Sequence, residues 1–246
     1  MFYNRKNSFF FRKLFFLSPY PGIFVFLEKS DMEKSEKYIR DLIRQGEHQR
    51  LDFKYAITDS RKIARSLVAF ANSEGGTLLI GVRDNGSLAG VRSEEEIYMI
   101  ETAAILWCRP EVSFTSHVHE VDNTTIVEVT VSPSEKRPYM APDDHDRWHA
   151  YVRVGDKNRI ANKVLVRSWK RKTRKRGTWV EYTKAEKILL DYLSGSEMIS
   201  QSTFRKIARI PYPTAGNILV NFLAWEIIEP VFTDQGIRYK LKVHSS

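Results

Sequence analysis

The stretch Gly75–Gly86, read Gly-Gly-Thr-Leu-Leu-Ile-Gly-Val-Arg-Asp-Asn-Gly, constrains this chain more than any other. A glycine pair, a short apolar run and an Asp-Asn-Gly turn signal predict a buried strand over 77–83, entered and left by tight turns. Just upstream, Asp59-Ser60 can cap a helix over 61–73, in which Ile63, Ala64, Leu67, Val68 and Ala71 form a broad apolar stripe. A helix of that kind, turned by glycines into an apolar strand, packs on a sheet. Asp84 falls where the strand surfaces, a suitable place for a functional carboxylate, although Asp also favours turns for its own reasons.

The remaining elements are built around this unit. Tyr38, Ile39, Leu42 and Ile43 recur at helical spacing over 31–44, and Gly46 can close that helix. In Glu47-His48-Gln49-Arg50-Leu51-Asp52-Phe53-Lys54, apolar Leu51 and Phe53 alternate with Asp52 and Lys54, which predicts a half-buried strand with Asp52 and Lys54 on its polar face. Ser93 and Glu96 form a capping box opening a helix over 94–107, and Pro110 stops it. Strands over 111–121 and 124–132 pair around Asp122-Asn123, with Val112, Phe114 and Val118 marking one face of the first and Val127, Val129 and Val131 the buried side of the second. A proline-bearing loop follows, then a strand over 149–154 and a helix over 158–169. Cys108, the single cysteine, excludes an internal disulfide, reads as a small core residue and fits a reducing cytoplasm.

From residue 178 the pattern changes to three helices, 184–193, 200–208 and 214–225, and then two strands around Thr233-Asp234-Gln235-Gly236. That order is the pattern of a winged helix-turn-helix. The fold class expected is therefore α/β (α+β), a mixed sheet with flanking helices, plus a small C-terminal winged-helix domain. The domains read as 32–169 and 178–246, joined by a basic linker at 170–177. Residues 1–31 read as a tail upstream of a start at Met32. Their Phe- and Leu-rich stretch is interrupted by Arg12, Lys13, Pro19 and Pro21, so no apolar run reaches the ~18 residues of a membrane span, and a cytoplasmic protein without a membrane partner is expected.

The net charge of +9 is local: Arg167, Lys170, Arg171, Lys172, Arg174, Lys175 and Arg176 supply seven of it, leaving +2 for the rest of the chain. Such a run attracts polyanions, of which nucleic acid is the commonest in a cytoplasm. The third C-terminal helix carries no Lys or Arg, which counts against DNA binding. Only Thr214, Asn217 and Asn221 could read bases or contact phosphates there, while Arg205, Lys206 and Arg209 on the second helix could contact the backbone. Weak docking or a protein interface stays open for this module. A second chemistry is open. Glu47, Asp52 and Asp84 are carboxylates at strand ends, the donor type that magnesium or manganese prefers, and Lys54 could contact a phosphate or orient a water. His117 and His119 share a strand face but lack an evident third ligand. No Gly-Lys-Ser/Thr loop and no Gly-x-Gly-x-x-Gly turn marks a nucleotide site.

Gly46-Glu47, Leu51-Asp52-Phe53-Lys54, and the run from Ala69 through Phe70-Ala71-Asn72 and Gly75-Gly76 to Gly86 resemble the Schlafen AlbA-type domain. Arg109-Pro110, Arg137-Pro138 and Tyr151-Val152-Arg153-Val154-Gly155 extend the resemblance over roughly residues 36–165. It implies an α/β fold and nucleic-acid binding, DNA or RNA. In some animal Schlafens it also implies a metal-dependent endoribonuclease acting on tRNA and rRNA. Three acidic positions of those nucleases would fall on Glu47, Asp52 and Asp84, with Asp52 one methylene shorter than the family's usual Glu. Those enzymes form a cradle from two such lobes, so a cradle here would need a homodimer. The expectation is thus a DNA-binding regulator, with the metal-dependent endoribonuclease as the alternative.

Overall fold

The computed structural model describes residues 29–91, 95–172 and 183–243. Its first part contains α1 (Lys29–Gln45), β1 (Leu51–Lys54), α2 (Ser60–Ala71), β2 (Gly76–Ile80), α3 (Glu95–Leu106), β3 (Thr115–Val121) and β4 (Thr124–Val131). Short strands β5 (Ala141–Pro142), β6 (Trp148–His149), β7 (Tyr151–Val154) and β8 (Lys157–Ile160) lead to α4 (Lys163–Lys172). The second part is α5 (Lys184–Gly195), α6 (Gln201–Ile207), α7 (Tyr212–Ala224), β9 (Ile228–Thr233) and β10 (Gly236–Leu241).

The main sheet is mixed, in the order β1-β2-β4-β3. β1 and β2 run parallel because α2 carries the chain back between them, whereas β4 lies antiparallel to both its neighbours. Asp122 and Asn123 supply the two positive φ angles, 50° and 56°, that a two-residue hairpin turn needs. Leu78 and Ile80 of β2 and Val127, Val129 and Val131 of β4 pack under α2 and α3. On the opposite face Leu79, Ile126, Leu51 and Phe53 pack with Ile39 of α1. With both faces covered, the central strands are buried over most of their length. β1 is no exception: it is not half-buried as its alternation predicts, because Asp52 is only 2% exposed beneath α2.

The Phe-Ala-Asn-x-x-Gly-Gly run has a structural task at nearly every position. Asp59 caps α2 by accepting from the Arg61 N–H. At its far end the Asn72 side chain donates to the carbonyls of Tyr139 and Tyr151 and accepts from the Tyr139 N–H, all at 2.8 Å, which ties three segments together. Gly75 has φ +75°, and a Cβ on Gly76 would lie 2.4 Å from the Phe70 ring and 2.9 Å from the Arg50 carbonyl. Gly76 therefore lets β2 close on both α2 and β1. Cys108 is buried and its thiol is pushed up to about 12 by burial, as suits an inert core residue.

Two segments depart from the sequence-based expectation. The helix expected over 158–169 is instead β8 followed by α4, because Gly155 (φ +61°) and Asp156 make a two-residue hairpin between β7 and β8. The basic linker expected at 170–177 begins as the last turn of α4, which holds Lys170 and Arg171. Ser93 of the expected capping box, the Lys172 side chain, Arg174, Lys175 and Arg176 lie outside the described residues, as does the tail before Lys29. Glu96 instead accepts the Ile57 N–H at 2.9 Å, joining α3 to the loop after β1.

The second part packs α5, α6, α7 and the β9–β10 hairpin around Leu189, Phe204, Leu219, Phe222 and Tyr239. Thr183 and Glu186 form a reciprocal capping box at the start of α5. α4 packs against α7 and joins the two parts: Val164 belongs to the C-terminal core, while Leu165 packs with Ala150, Val152 and Ala161. Asn162 donates to the Tyr239 hydroxyl at 2.9 Å, and Arg159 donates to the Thr233 carbonyl at 3.2 Å.

Candidate functional site

Asp52 is the centre of the first cluster. β1 presents it toward α2, where Ser66 donates to its Oδ2 at 3.2 Å and Lys54 Nζ pairs with the same oxygen at 2.9 Å. Arg153, brought in by β7, donates from Nη2 to Oδ1 at 3.2 Å and to the Leu51 carbonyl at 3.0 Å. Arg153 is itself only 3% exposed, and Asn158 links it to Ser66 at 3.2 and 3.0 Å. A carboxylate and a guanidinium, both stripped of water, are thus each satisfied by the other and by neutral groups.

Glu47 joins the pair from the turn before β1. Its Oε1 accepts the Phe53 N–H at 2.8 Å, and its carboxyl hydrogen-bonds Asp52. Burial raises the Glu47 carboxyl above its ordinary value, and the bond to Asp52 raises it further. Burial pushes Asp52 the same way, but the Glu47 bond, Lys54 and Arg153 together hold it below the ordinary aspartate value. Of the two carboxyls, Glu47 is the one raised and Asp52 the one lowered.

Asp84 stands elsewhere. It is exposed on the turn after β2, closed by the Gly86 N–H to the Arg83 carbonyl at 2.8 Å with Gly86 at φ +79°. Among the described residues it forms no hydrogen bond or ion pair with Glu47 or Asp52, and no three His, Cys, Asp or Glu side chains are gathered to hold a metal. A magnesium or manganese ion at Asp52 would have to displace Lys54 and Arg153. The donor set present therefore does not fit such an ion in this arrangement.

The two histidine rings stay neighbours, with centroids 6.4 Å apart, but their surroundings differ. His117 is exposed, whereas His119 bonds Ser35 Oγ through Nδ1 at 2.6 Å and Glu128 through Nε2 at 2.9 Å. Glu128, 6% exposed on β4, also accepts the Tyr38 hydroxyl at 2.7 Å. His119 and Tyr38 hold Glu128 below the usual carboxylate range against its burial, and Tyr38 is pushed up to about 12 by burial and by Glu128. This cluster fastens α1 to the sheet.

The residues quoted for the family resemblance thus converge on one frame: Asn72, Gly76, Arg153 and Asp52 hold α2, β1, β2 and β7 together. Residues 47–162 match the family model described as Schlafen, AlbA_2. This segment is a Schlafen AlbA_2 domain. Among curated proteins none matches the chain. The DIP2311 protein of Corynebacterium diphtheriae aligns at 17% identity over 58% of this chain and 28% of its own length, with a TM-score of 0.40. The N-terminal domain of an ATP-dependent DNA helicase RecG-related protein of Nitrosomonas europaea aligns at 17% identity over 59% of this chain and 96% of its own, with a TM-score of 0.32. The chain thus spans about a quarter of the first of these and nearly all of the second.

A second candidate surface lies where the Schlafen AlbA_2 domain meets the helical module. Lys163, Arg167, Lys170 and Arg171 are exposed and recur at three- and four-residue spacing along one face of α4, opposite buried Val164, Leu165 and Ser168. Arg167 Nη2 donates to Asn217 Oδ1 of α7 at 2.7 Å. Beside Asn217 on α7, Thr214 is exposed and Asn221 half-buried. Arg205 and Lys206 are exposed on α6, and Arg209 follows at φ +53°. Sequence reasoning did not single out Lys163, since the strand and helix around it were read as one helix.

Proposed function

We propose that this protein binds nucleic acid as a DNA-binding regulator, with α5–α7 and the β9–β10 hairpin acting as a winged helix-turn-helix beside the Schlafen AlbA_2 domain. One observation carries the reading: the exposed basic face of α4 runs beside α7, and Arg167 touches Asn217. α7 has amides and a hydroxyl suited to base edges but no cation of its own. α4 supplies the cations, spread over about 12 Å of helix between Lys163 and Arg171. The implication drawn from the Schlafen AlbA-type resemblance runs the same way.

Salt dependence tests it. The full chain should bind a DNA duplex with an affinity that falls steeply as salt rises, and each phosphate contact contributes about 0.9 to the log–log slope. Replacing Lys163, Arg167, Lys170 and Arg171 by Gln should reduce that slope by up to about 3.6 and weaken all sequences alike. Asn217→Ala should instead alter preference among sequences and leave the slope nearly unchanged. Binding that is insensitive to salt would refute the reading. The endoribonuclease alternative has its own test, tRNA incubated with manganese and either wild type or Asp84→Ala. Metal-dependent cleavage lost in the variant would favour it over the regulator.

A further inference from the structure

Between the Schlafen AlbA_2 domain and the C-terminal hairpin lies a cleft of about 600 Å³. This is within the range of small-molecule sites, which favour such junctions. Its apolar lining comes from both sides, Val152, Leu165 and Trp169 on one and Ile228 and Phe232 on the other. Most of its charged lining is already neutralised. Arg153 pairs with Asp52, Glu74 with Arg50, Glu226 with Lys242 and Glu229 with Lys240.

Arg137 is different. Its half-buried guanidinium is fixed by two carbonyls of the cleft wall: Nε donates to Ser134 at 2.9 Å and Nη2 to Ser73 at 2.7 Å. Among the described residues no carboxylate lies within ion-pair distance of it, and Nη1 has no acceptor there. No fully buried side-chain nitrogen or oxygen among the described residues lacks a partner, so the unpaired Nη1 hydrogens reach solvent. Burial depresses the guanidinium's pKa, and only the charge of Glu135 opposes it. A fixed, partly dehydrated arginine with no carboxylate in ion-pair reach, lining the same cleft as an indole and a phenyl ring, has the chemistry of an anion hook in a partly apolar cleft.

We infer that this cleft binds a small organic anion with a flat apolar body, an aromatic carboxylate, whose charged group sits on Arg137 and whose ring lies among Trp169, Leu165 and Phe232. The site shares α4 with the nucleic-acid surface but is lined by none of Lys163, Arg167, Lys170 and Arg171, and it requires no metal.

Calorimetric titration of the full chain with naphthoate, and with its neutral counterpart naphthamide, tests it. Naphthoate should bind saturably at one site, with naphthamide weaker by about tenfold or more. Arg137→Gln should lose naphthoate binding to a similar degree. Glu135→Gln, an exposed change that leaves Arg137's bonds intact, should tighten naphthoate by about twofold to threefold and leave naphthamide unchanged. Absence of saturable binding overturns the inference. So does equal binding of the two compounds, or wild-type affinity in an Arg137→Gln protein with unchanged circular dichroism. Should Arg137→Gln fail to fold, the amide comparison and Glu135→Gln decide: unaltered affinity in both overturns it.

Discussion

Taking a carboxylate such as Asp52 out of water costs several kcal/mol, and Arg153, Lys54, Ser66 and Glu47 offset that cost together. Arg153→Met would leave Asp52 buried beside a single cation and should destabilise the fold by about 3–5 kcal/mol in urea denaturation. The Asp52→Asn/Arg153→Met double variant should lose less than the sum of the single changes, because no orphaned charge remains. Glu47 makes a further prediction. Its folded value lies above the ordinary 4.5, so its contribution is complete below that pH and is lost as pH rises through the folded value. Asp52 behaves oppositely: its contribution is complete above 3.8 and is lost as pH falls through its lower folded value. The urea midpoint should therefore decline as pH rises above 4.5 in wild type and decline less in Glu47→Gln; parallel profiles would refute the raised Glu47 carboxyl. At this scale Glu47, Asp52 and Lys54 were legible as a group, because strand alternation puts Asp52 and Lys54 on one face. Arg153 was not legible as their partner. It lies 101 positions from Asp52, and only the return of β7 over α2 brings it there. Nor does the sequence reveal that Asp84 stays on its turn, since strand-end position specifies no distance between strand ends.

Among the elements, β2 depends on how closely its first residue approaches α2. Gly76→Ala would drive a methyl group into the Phe70 ring and should cost about 1–3 kcal/mol in thermal denaturation, as overpacking does. Phe70→Leu in the Gly76→Ala background should recover part of the loss, which a purely conformational effect of alanine would not allow. The glycine pair, the capped α2 and the Asp122-Asn123 hairpin were all readable, because each depends on local backbone chemistry. The β8–α4 segment was not. Ile160, Val164 and Leu165 are spaced as on a helix, yet Ile160 is 50% exposed and ends a strand. The Gly155-Asp156 turn was the local signal that could have divided the segment.

Across the whole molecule, the charge excess expected on a linker begins on a helix held between two cores. Val164 completes the packing of one and Leu165 that of the other, and Arg159 and Asn162 add bonds across the junction. Calorimetry should therefore record one unfolding transition with equal calorimetric and van't Hoff enthalpies. Two transitions would show that α4 couples the parts only weakly. Val164→Ala should lower the stability of the entire chain by about 1–2 kcal/mol, a core truncation felt beyond its own module. The two-part organisation was readable from the change of periodicity near residue 178, but the joint was not, because packing between distant segments leaves no periodic mark. A helix that finishes one core and begins another also has no seam for recombination. A fragment ending before Lys163 would lack Leu165, and one beginning after Lys172 would lack Val164. Any exchange of C-terminal modules among chains of this design has to carry α4 with the graft and rebuild its contacts on the side left behind.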